Sequence, residues 1–573
     1  MKKRWIIHPV REAVRDQISL HFVLSRICAQ ILVNRGLDTI EKVDKFLNIT
    51  LKDLRDPFLL DGIEKAVERI LTAVRNHETI VVHGDYDVDG ITSTSLFCHV
   101  LRDAGVPVHF YIPNRLVEGY GLGEEGIQFA LRLGASLVVT VDCGINAVSE
   151  VKQLKSHNID VIITDHHMPG EVLPKAYAVV NPNIPDITYP FKSLAGVGVC
   201  FKLVHALLKK ARELNMSEFD EIDLKDHLDL VALGTIADMM PLIDVNRIFV
   251  LYGLKRLSMT RKVGLQKLKE KAGIPHNIPM KTSHISFLMA PRINSVGRLH
   301  HADLGVDLLV ASELDDAERL ADLMEKSNRD RQKLEEVVFN EAKEYLEANP
   351  ELKNRKIIIV AKEGWPVGLV SIVAARLTRE FYKPAIVFSL EDGVGRGSAR
   401  SVTCFNLLNG LKKCHNMLLE YGGHSYAAGL SIKENMIDEF SRKMNAIAEH
   451  EMETGDLLPE VFIDYKLHLA DIGDELMKEI DRMAPFGQSN TRPVFLSQGL
   501  IVQGIPRFFG RNHIKFVVEE DGVIQDVIGF NMQKQLSSLT KGDKIDIVYS
   551  LHINDFNGIR SIQLQLADAR VYK

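Results

Sequence analysis

Three aspartates alternate in His83-Gly84-Asp85-Tyr86-Asp87-Val88-Asp89-Gly90, directly after the apolar run that begins at Ile80. Unpaired carboxylates at that density are too costly to bury. If the backbone stays extended beyond the run, alternate carboxylates point the same way, and their repulsion has to be neutralised by cations. A surface turn or a calcium loop is the plainer reading of Asp-Gly, but the spacing and closing Glu of an EF-hand are absent. Three more groups share the setting. Asp142 follows the apolar residues 137–141, Asp165-His166-His167 follows residues 161–164, and Asp238 stands in the otherwise apolar stretch 234–241. Alone, Asp142 would suffice as a helix N-cap, and paired histidines are more often structural. As successive groups at strand ends of one sheet they make a mixed carboxylate and imidazole ligand set. Such a set suits Mn2+ or Mg2+ better than zinc. A carboxylate bridging two such cations supports in-line displacement at phosphorus.

These groups depend on a frame that holds them. Residues 61–245 alternate short apolar strands (80–83, 106–111, 137–141 and 161–164) with helical stretches such as 92–103 and 147–157. That alternation implies βαβ units and a mainly parallel sheet, in which ligands sit beyond the carboxyl ends of the strands. Residues 1–60 read as mostly helical. Residues 246–350 are helical too, with Leu334, Val338, Ala342 and Leu346 on one stripe and Asn349-Pro350 as the stop, and they form a rigid connector. A smaller α/β block follows over 351–455. Over 458–573, alternation such as Ile545, Ile547, Tyr549 and Ile562, Leu564, Leu566 predicts a small β-barrel, with the OB-fold leading. The expected class is α/β: a parallel-sheet domain, a helical connector, a smaller α/β domain and a C-terminal β-barrel.

The chain's 573 residues allow three or four domains. A formal charge of −6 disfavours a uniformly basic nucleic-acid binder, although a cluster of acidic ligands subtracts charge locally and leaves basic patches possible. The six cysteines are scattered without a CxxC pair, as in a reducing cytosol. The first ten residues carry charge and lack a signal-like apolar core, and no run reaches the roughly 20 apolar residues of a membrane helix. A cytoplasmic protein with no membrane partner is expected.

Phosphate contacts have candidates as well. Arg115 and Arg298 lie in glycine-containing segments where a guanidinium can clamp phosphate oxygens. In Gly395-Arg396-Gly397-Ser398-Ala399-Arg400-Ser401, small residues let backbone N–H groups approach an anion. His424 follows two glycines, and a buried core histidine is its competing reading. Arg507-Phe508-Phe509-Gly510-Arg511 interleaves base-stacking and phosphate-binding side chains; one aromatic packed inside a barrel beside a charged turn is as good a reading residue by residue.

Asp-x-Asp-x-Asp-Gly, a lone Asp at a later strand end and Asp-His-His resemble, in that order, the motifs of the DHH phosphoesterases. Further segments resemble the RecJ family within them: Asn114-Arg115 with Glu118-Gly119-Tyr120-Gly121-Leu122, then Leu233-Gly234-Thr235-Ile236-Ala237-Asp238, then Arg292-Ile293-Asn294-Ser295-Val296-Gly297-Arg298-Leu299. Gly397-Ser398-Ala399-Arg400-Ser401 and Gly422-Gly423-His424 with Ala427-Ala428-Gly429 resemble the companion DHHA1 domain. The match runs from about residue 60 to the C-terminus.

The resemblance implies Asp87, Asp89, Asp142, His166 and Asp238 as ligands of two divalent cations, Mn2+ or Mg2+, with Asp142 as the bridge. It implies His83, Asp85 and Asp165 as support, and His167, Arg298 and His424 at the reacting phosphate. It places Ser398 and Arg400 in a pocket for the 5′-terminal phosphate or the neighbouring nucleotide; from their residue types, Arg115 is a further phosphate contact and Arg507, Phe508 and Arg511 are contacts for the strand. The implied activity is 5′→3′ exonucleolytic release of 5′-mononucleotides from single-stranded DNA in repair and recombination, with a single-strand-binding protein and a helicase as partners. The family's usual Glu-Gly-Trp-His-Pro-Gly reads Glu363-Gly364-Trp365-Pro366-Val367-Gly368 here, without the histidine, which puts that substrate contact in doubt. Two rival activities are a DHH phosphodiesterase for short oligonucleotides or cyclic dinucleotides and a non-catalytic replication or repair scaffold. The barrel speaks against the first and the full ligand set against the second.

Overall fold

A computed structural model describes residues 3–115, 117–276, 278–453, 457–510, 512–556 and 559–572. Arg511 lies outside the described residues. The chain forms two compact units, one of residues 54–240 and 249–457, the other of residues 1–53, 241–248 and 458–573. Among the described residues, no helix is long and apolar enough to cross a membrane.

In the larger unit the strands Val108–Tyr111, Ile80–Gly84, Leu137–Val141, Asp160–Thr164 and Ala178–Val180 lie side by side in that order, all parallel. Their Val and Ile residues alternate between two covered faces, the pattern of a parallel sheet buried on both sides. Val81, Val138, Val161 and Ile163 pack on one face with Ile127 and Ala130 of helix Glu124–Arg132 and Val151 and Leu154 of helix Val148–Ser156. Ile80, Val82, Leu137, Val139 and Ile162 are buried on the other, where helices Val88–Asp103 and Gly196–Glu213 touch the strands. The second strand in sequence lies on one side of the first, and the third on the other. Connections therefore leave Ile80–Gly84 and Leu137–Val141 in opposite directions and open a crevice at their carboxyl ends.

Helix Leu228–Ala237 is buried over nearly all its length and stops at Asp238. The 35-residue helix Leu314–Ala348 leads into a second sheet, ordered Leu418–Gly423, Ala427–Lys433, Val394–Arg400, Ala385–Glu391, Ile358–Glu363; only the last pair is parallel. Val338, Ala342 and Leu346 of that helix pack on Trp365, Val373 and Leu377. Leu334, expected on the same stripe, is exposed instead. The inward positions one turn earlier belong to Arg331 and Glu335, paired with each other.

In the smaller unit, strands Phe495–Phe509, His513–Glu520, Val523–Gly529, Ile559–Tyr572 and Lys544–Phe556 form a barrel, closed by pairing of the first with the last. Closure removes free sheet edges. The N-terminal helices share its core: Ile18, Ile31, Leu32 and Val43 cluster with Leu476, Ile480, Phe516 and Ile545. The mostly helical N-terminal segment also contains a strand, Arg4–Ile7, paired in parallel with Glu460–Ile463. Four residues make a strand only when a partner supplies its ladder, and this partner is remote in sequence.

Candidate active site

The three alternating aspartates converge by a route other than an extended backbone. Asp85 follows the strand, but Asp87 is the N-cap of helix Val88–Asp103, its Oδ1 accepting from the backbone N–H of Asp89 (2.8 Å) and Gly90 (3.2 Å). Asp89 is then in the first helical turn. A Cβ on Gly90 would lie 2.4 Å from the Asp85 carbonyl oxygen, so only glycine lets the turn fold this tightly. Helix entry, rather than strand alternation, gathers the carboxylates.

Asp142 leaves the end of Leu137–Val141 with φ 61°, a left-handed conformation that costs a non-glycine residue energy and is characteristic of functional positions. Its N–H donates to the Thr164 carbonyl (2.9 Å). Asp238 caps the C-terminus of Leu228–Ala237. His166 faces all of these groups: its Nε2 is 3.1 Å from Asp142 Oδ1, 3.7 Å from Asp238 Oδ2 and 3.8 Å from Asp89 Oδ2. Side-chain atoms of Asp89, His166 and Asp238 lie within 4.8 Å of one another, and so do those of Asp85, Asp87 and Asp142, and of Asp142, His166 and His167. Asp142 belongs to two of these three sets.

Electrostatics mark the cluster as built for cations. Burial, then the neighbouring carboxylates Asp89, Asp87 and Asp85, push the Asp142 carboxyl far above its ordinary range. Burial and Asp87 raise Asp85 likewise and raise Asp89 to about 7. Asp238 rises to about 9 through burial and Asp89, and burial, then His167, lower His166 to about 4. Oxygen atoms of Asp85, Asp142 and Asp238 are buried without a hydrogen-bond partner among the described residues. Buried polar atoms rarely stay unsatisfied. Convergent, unpaired carboxylate oxygens beside a neutral imidazole fit hard divalent cations.

Asp165 does something different. Its Oδ1 accepts from the N–H of His166 (2.7 Å) and His167 (3.0 Å) and from His167 Nδ1 (2.8 Å), and its Oδ2 from the Ile145 N–H (2.9 Å). It orients both histidines. His83 is fully buried against the Tyr111 ring, and burial lowers its pKa to about 4; its Nε2 has no hydrogen-bond partner among the described residues.

Next to the cluster, Tyr86 lies with its ring under the Arg115 guanidinium (4.8 Å). Arg298 donates from Nη1 to the Gly368 carbonyl (2.9 Å) and Ser371 Oγ (3.0 Å). Burial, then Arg115, Arg331 and Arg400, lower its pKa to about 9. Arg400 donates to Ser398 Oγ (3.2 Å) and is lowered by burial and by Arg115. Arg331 is paired with Glu335, whereas Arg115, Arg298 and Arg400 form no ion pair among the described residues, an arrangement that favours an anion. A cleft of about 1030 Å3 runs here, lined by Arg115, Arg396, Ser398 and Tyr421 among others.

His424 stands apart: it is exposed between strands Leu418–Gly423 and Ala427–Lys433, and no hydrogen bond joins it to the carboxylates among the described residues. It is therefore no core histidine. In the smaller unit Arg507 is exposed, and Phe508 and Phe509 are 44% and 41% exposed; neither ring fills the barrel. Phe509 and Phe530 flank His513 at 5.3 Å each.

Sequence reasoning missed the residues that aim the ligands. Gly196 and Val197, opening helix Gly196–Glu213, donate their N–H groups to Asp89 Oδ2 (2.6 Å) and Oδ1 (2.9 Å), as helix N-termini hold anions. A Cβ on Gly196 would lie 2.3 Å from Asp142 Oδ1. Asn181 and Asn183 donate to the carbonyls of His167 (2.9 Å) and His166 (2.5 Å). The Asn181-Pro182-Asn183 triplet was visible, but nothing local tied it to the histidines.

Known proteins share this arrangement of parts. The DHH family, N-terminal domain, matches residues 79–235, the DHHA1 domain residues 354–450 and the RecJ OB domain residues 463–568. The single-stranded-DNA-specific exonuclease RecJ of Bacillus subtilis (strain 168) is 38% identical over 100% of this chain and 71% of its own length. That of Escherichia coli (strain K12) is 34% identical over 97% of each chain. The crystal structure of RecJ in complex with Mn2+ from Thermus thermophilus aligns with a TM-score of 0.84 at 28% identity, covering 100% of this chain and 80% of that one. With its domains, motif order and metal-type cluster all in place, the chain belongs to the RecJ family of DHH exonucleases.

Proposed function

We propose that this chain is a single-stranded-DNA-specific exonuclease that hydrolyses phosphodiester bonds from the 5′ end and releases 5′-mononucleotides, with two divalent cations, Mn2+ or Mg2+. The observation that carries this reading is the convergence of unpaired carboxylates on Asp142, with the half-buried Arg115, Arg298 and Arg400 free of ion pairs among the described residues nearby. Asp87, Asp89, Asp142, His166 and Asp238 would hold the cations, with Asp85 close enough to join them. Bound there, the cations supply a nucleophile from water at neutral pH and neutralise charge on the phosphoryl oxygens.

The chain's own residues then have distinct tasks. Arg115, Ser398 and Arg400 grip the terminal 5′-phosphate, and Arg298 neutralises phosphate charge from its half-buried position. Hydrolysis of the next phosphodiester breaks the bond from phosphorus to the 3′-oxygen of the terminal nucleotide. His167 has Nδ1 engaged by Asp165, which leaves Nε2 to hold or pass a proton at the scissile group. His424, on its exposed turn, is available to the leaving oxygen. Arg507, Phe508 and Arg511 track and stack the unpaired strand. In this reading residues 61–245 carry the chemistry, 246–350 connect, 351–455 bind the terminal phosphate, and 1–60 support the strand-binding barrel of 458–573.

A single-strand-binding protein and a helicase are the partners this activity calls for, because duplex must be opened and the strand kept unpaired. An enzyme acting on chromosomal repair and recombination intermediates would work in the cytoplasm. Digestion of 5′- and 3′-labelled single and double strands with Mn2+ or Mg2+ tests the reading. Mononucleotides should appear first from the 5′ end of single strands; release from the 3′ end, or equal attack on duplex, would overturn it.

A further inference from the structure

The turn that carries Arg115 also carries a carboxylate, which an anion site should avoid. Glu118 lines the same cleft as Arg115, Arg396 and Ser398, where its charge repels a phosphate. Its two oxygens are engaged away from the guanidinium. Oε2 accepts from the Tyr111 hydroxyl (2.7 Å) and Oε1 from the Asn114 N–H (2.7 Å). In return the Glu118 N–H donates to the Asn114 carbonyl (2.8 Å), and this reciprocal pair closes the turn from Asn114 to Glu118. Tyr111 is a firm support for it. It ends strand Val108–Tyr111, and its ring packs against those of His83 and Phe129, with centroids 5.5 and 5.2 Å away.

We infer that Glu118 is a positioning residue: it clasps the Arg115 turn to the end of the parallel sheet and so sets the guanidinium for the terminal phosphate of the substrate. Ser398 and Arg400 share strand Val394–Arg400 in the second sheet, which holds them in register with each other. Arg115 approaches from a loop after a different sheet, and only its own anchors keep it aligned with them. It has one at each end of the side chain. The guanidinium rests over the Tyr86 ring at 4.8 Å, and the clasp fixes the backbone. Without the clasp, the loop and the long side chain would both have to be ordered when phosphate binds, at a cost in conformational entropy. Bidentate contact with phosphate depends on that alignment, which is why a carboxylate is tolerated in this cleft.

The inference rests on the reading that Arg115 grips the terminal 5′-phosphate, and the variants separate the two. The readout is the ratio of kcat/KM on 5′-phosphorylated and 5′-hydroxyl single strands, in which a general loss of folded or metal-loaded enzyme cancels. Glu118→Ala should lower this ratio about 10- to 100-fold, although it takes a negative charge out of the cleft. Glu118→Gln removes the same charge, but its amide can still accept from the Asn114 N–H and donate to Tyr111 Oη. Its ratio should therefore equal or exceed that of wild type. Tyr111→Phe keeps the ring, loses one bond of the clasp and should lower the ratio severalfold. A Glu118→Ala ratio at or above wild type, while Arg115→Gln lowers it, overturns the inference, and so does an equal fall in Glu118→Ala and Glu118→Gln. A wild-type ratio in Arg115→Gln would instead refute the phosphate role of Arg115 itself.

Discussion

Replacing Arg298 with methionine removes a positive charge that is half-buried and close to other positive charges. The guanidinium has no carboxylate partner among the described residues, and burial with Arg115, Arg331 and Arg400 brings its pKa from 12.5 to about 9. At about 1.4 kcal/mol per tenfold change in proton affinity, holding that charge costs the folded protein on the order of 5 kcal/mol at neutral pH. Methionine nearly matches the length of the side chain but forfeits two hydrogen bonds, to the Gly368 carbonyl and Ser371 Oγ, at about 1 kcal/mol each. The variant should therefore be more stable by roughly 2–3 kcal/mol, as when buried ions give way to apolar groups. Function should move the other way. Losing a desolvated cation from a bound phosphate costs about 2–5 kcal/mol, so kcat/KM should fall by about two to three orders of magnitude. Differential scanning fluorimetry with and without a 5′-phosphorylated single strand, beside steady-state digestion, reads both effects. Wild type should gain more from the strand than the variant does. A lower Tm for Arg298→Met with unchanged kcat/KM would show that Arg298 is a structural cation.

Gly196→Ala should prove far more damaging than its size suggests, because the new Cβ would meet Asp142 Oδ1 at 2.3 Å and pull two N–H groups from Asp89. A loss of about 100-fold in kcat with weaker Mn2+ binding by calorimetry is expected, and unaltered metal binding would contradict the packing argument. In metal-free protein, stability should fall as pH rises from about 7 to 9. Asp238, at about 9 when folded, keeps a proton there that the unfolded chain has released. His166 and His83, both at about 4, oppose this trend only below their ordinary value near 6.5. Chemical denaturation across that range, with and without Mn2+, should show a decline that the metal abolishes; a flat metal-free profile would refute it. Phe508→Ala should weaken binding to long single strands severalfold to tenfold and leave hydrolysis of a dinucleotide unchanged, measured by anisotropy and by product release. Equal losses on both substrates would place Phe508 elsewhere in the mechanism.

Much of the site could be read from the chain because strand ends in a parallel sheet put chemistry where sequence periodicity changes. Asp85, Asp142 and Asp165 each follow an apolar run, and the sheet order Val108–Tyr111, Ile80–Gly84, Leu137–Val141 places two of those ends at the crevice. Asp238 was legible as a carboxylate that an apolar helix could not otherwise tolerate. The geometry of the triple-Asp turn was not, since alternation suggests a strand whereas the N-cap of Asp87 starts a helix. Leu334 failed for a related reason: helical periodicity defines a face, but the core it meets ends a turn short of that residue.

The sequence alone determined which atoms are available for chemistry: the carboxylates, the imidazoles, the arginines in glycine-containing segments and the βαβ order that carries them. Tertiary structure alone decided which of these atoms meet. Gly196 and Val197 reach Asp89, and Tyr120 reaches both His167 and Asp142, across separations that no local period encodes. It also decided their charge states. Burial and mutual repulsion raise Asp89 and Asp238 and lower His166, while hydrogen bonds converging on Asp165 keep that carboxylate ionised. A residue type fixes what a group can donate or accept, but only its desolvation and its neighbours in space settle which form it takes.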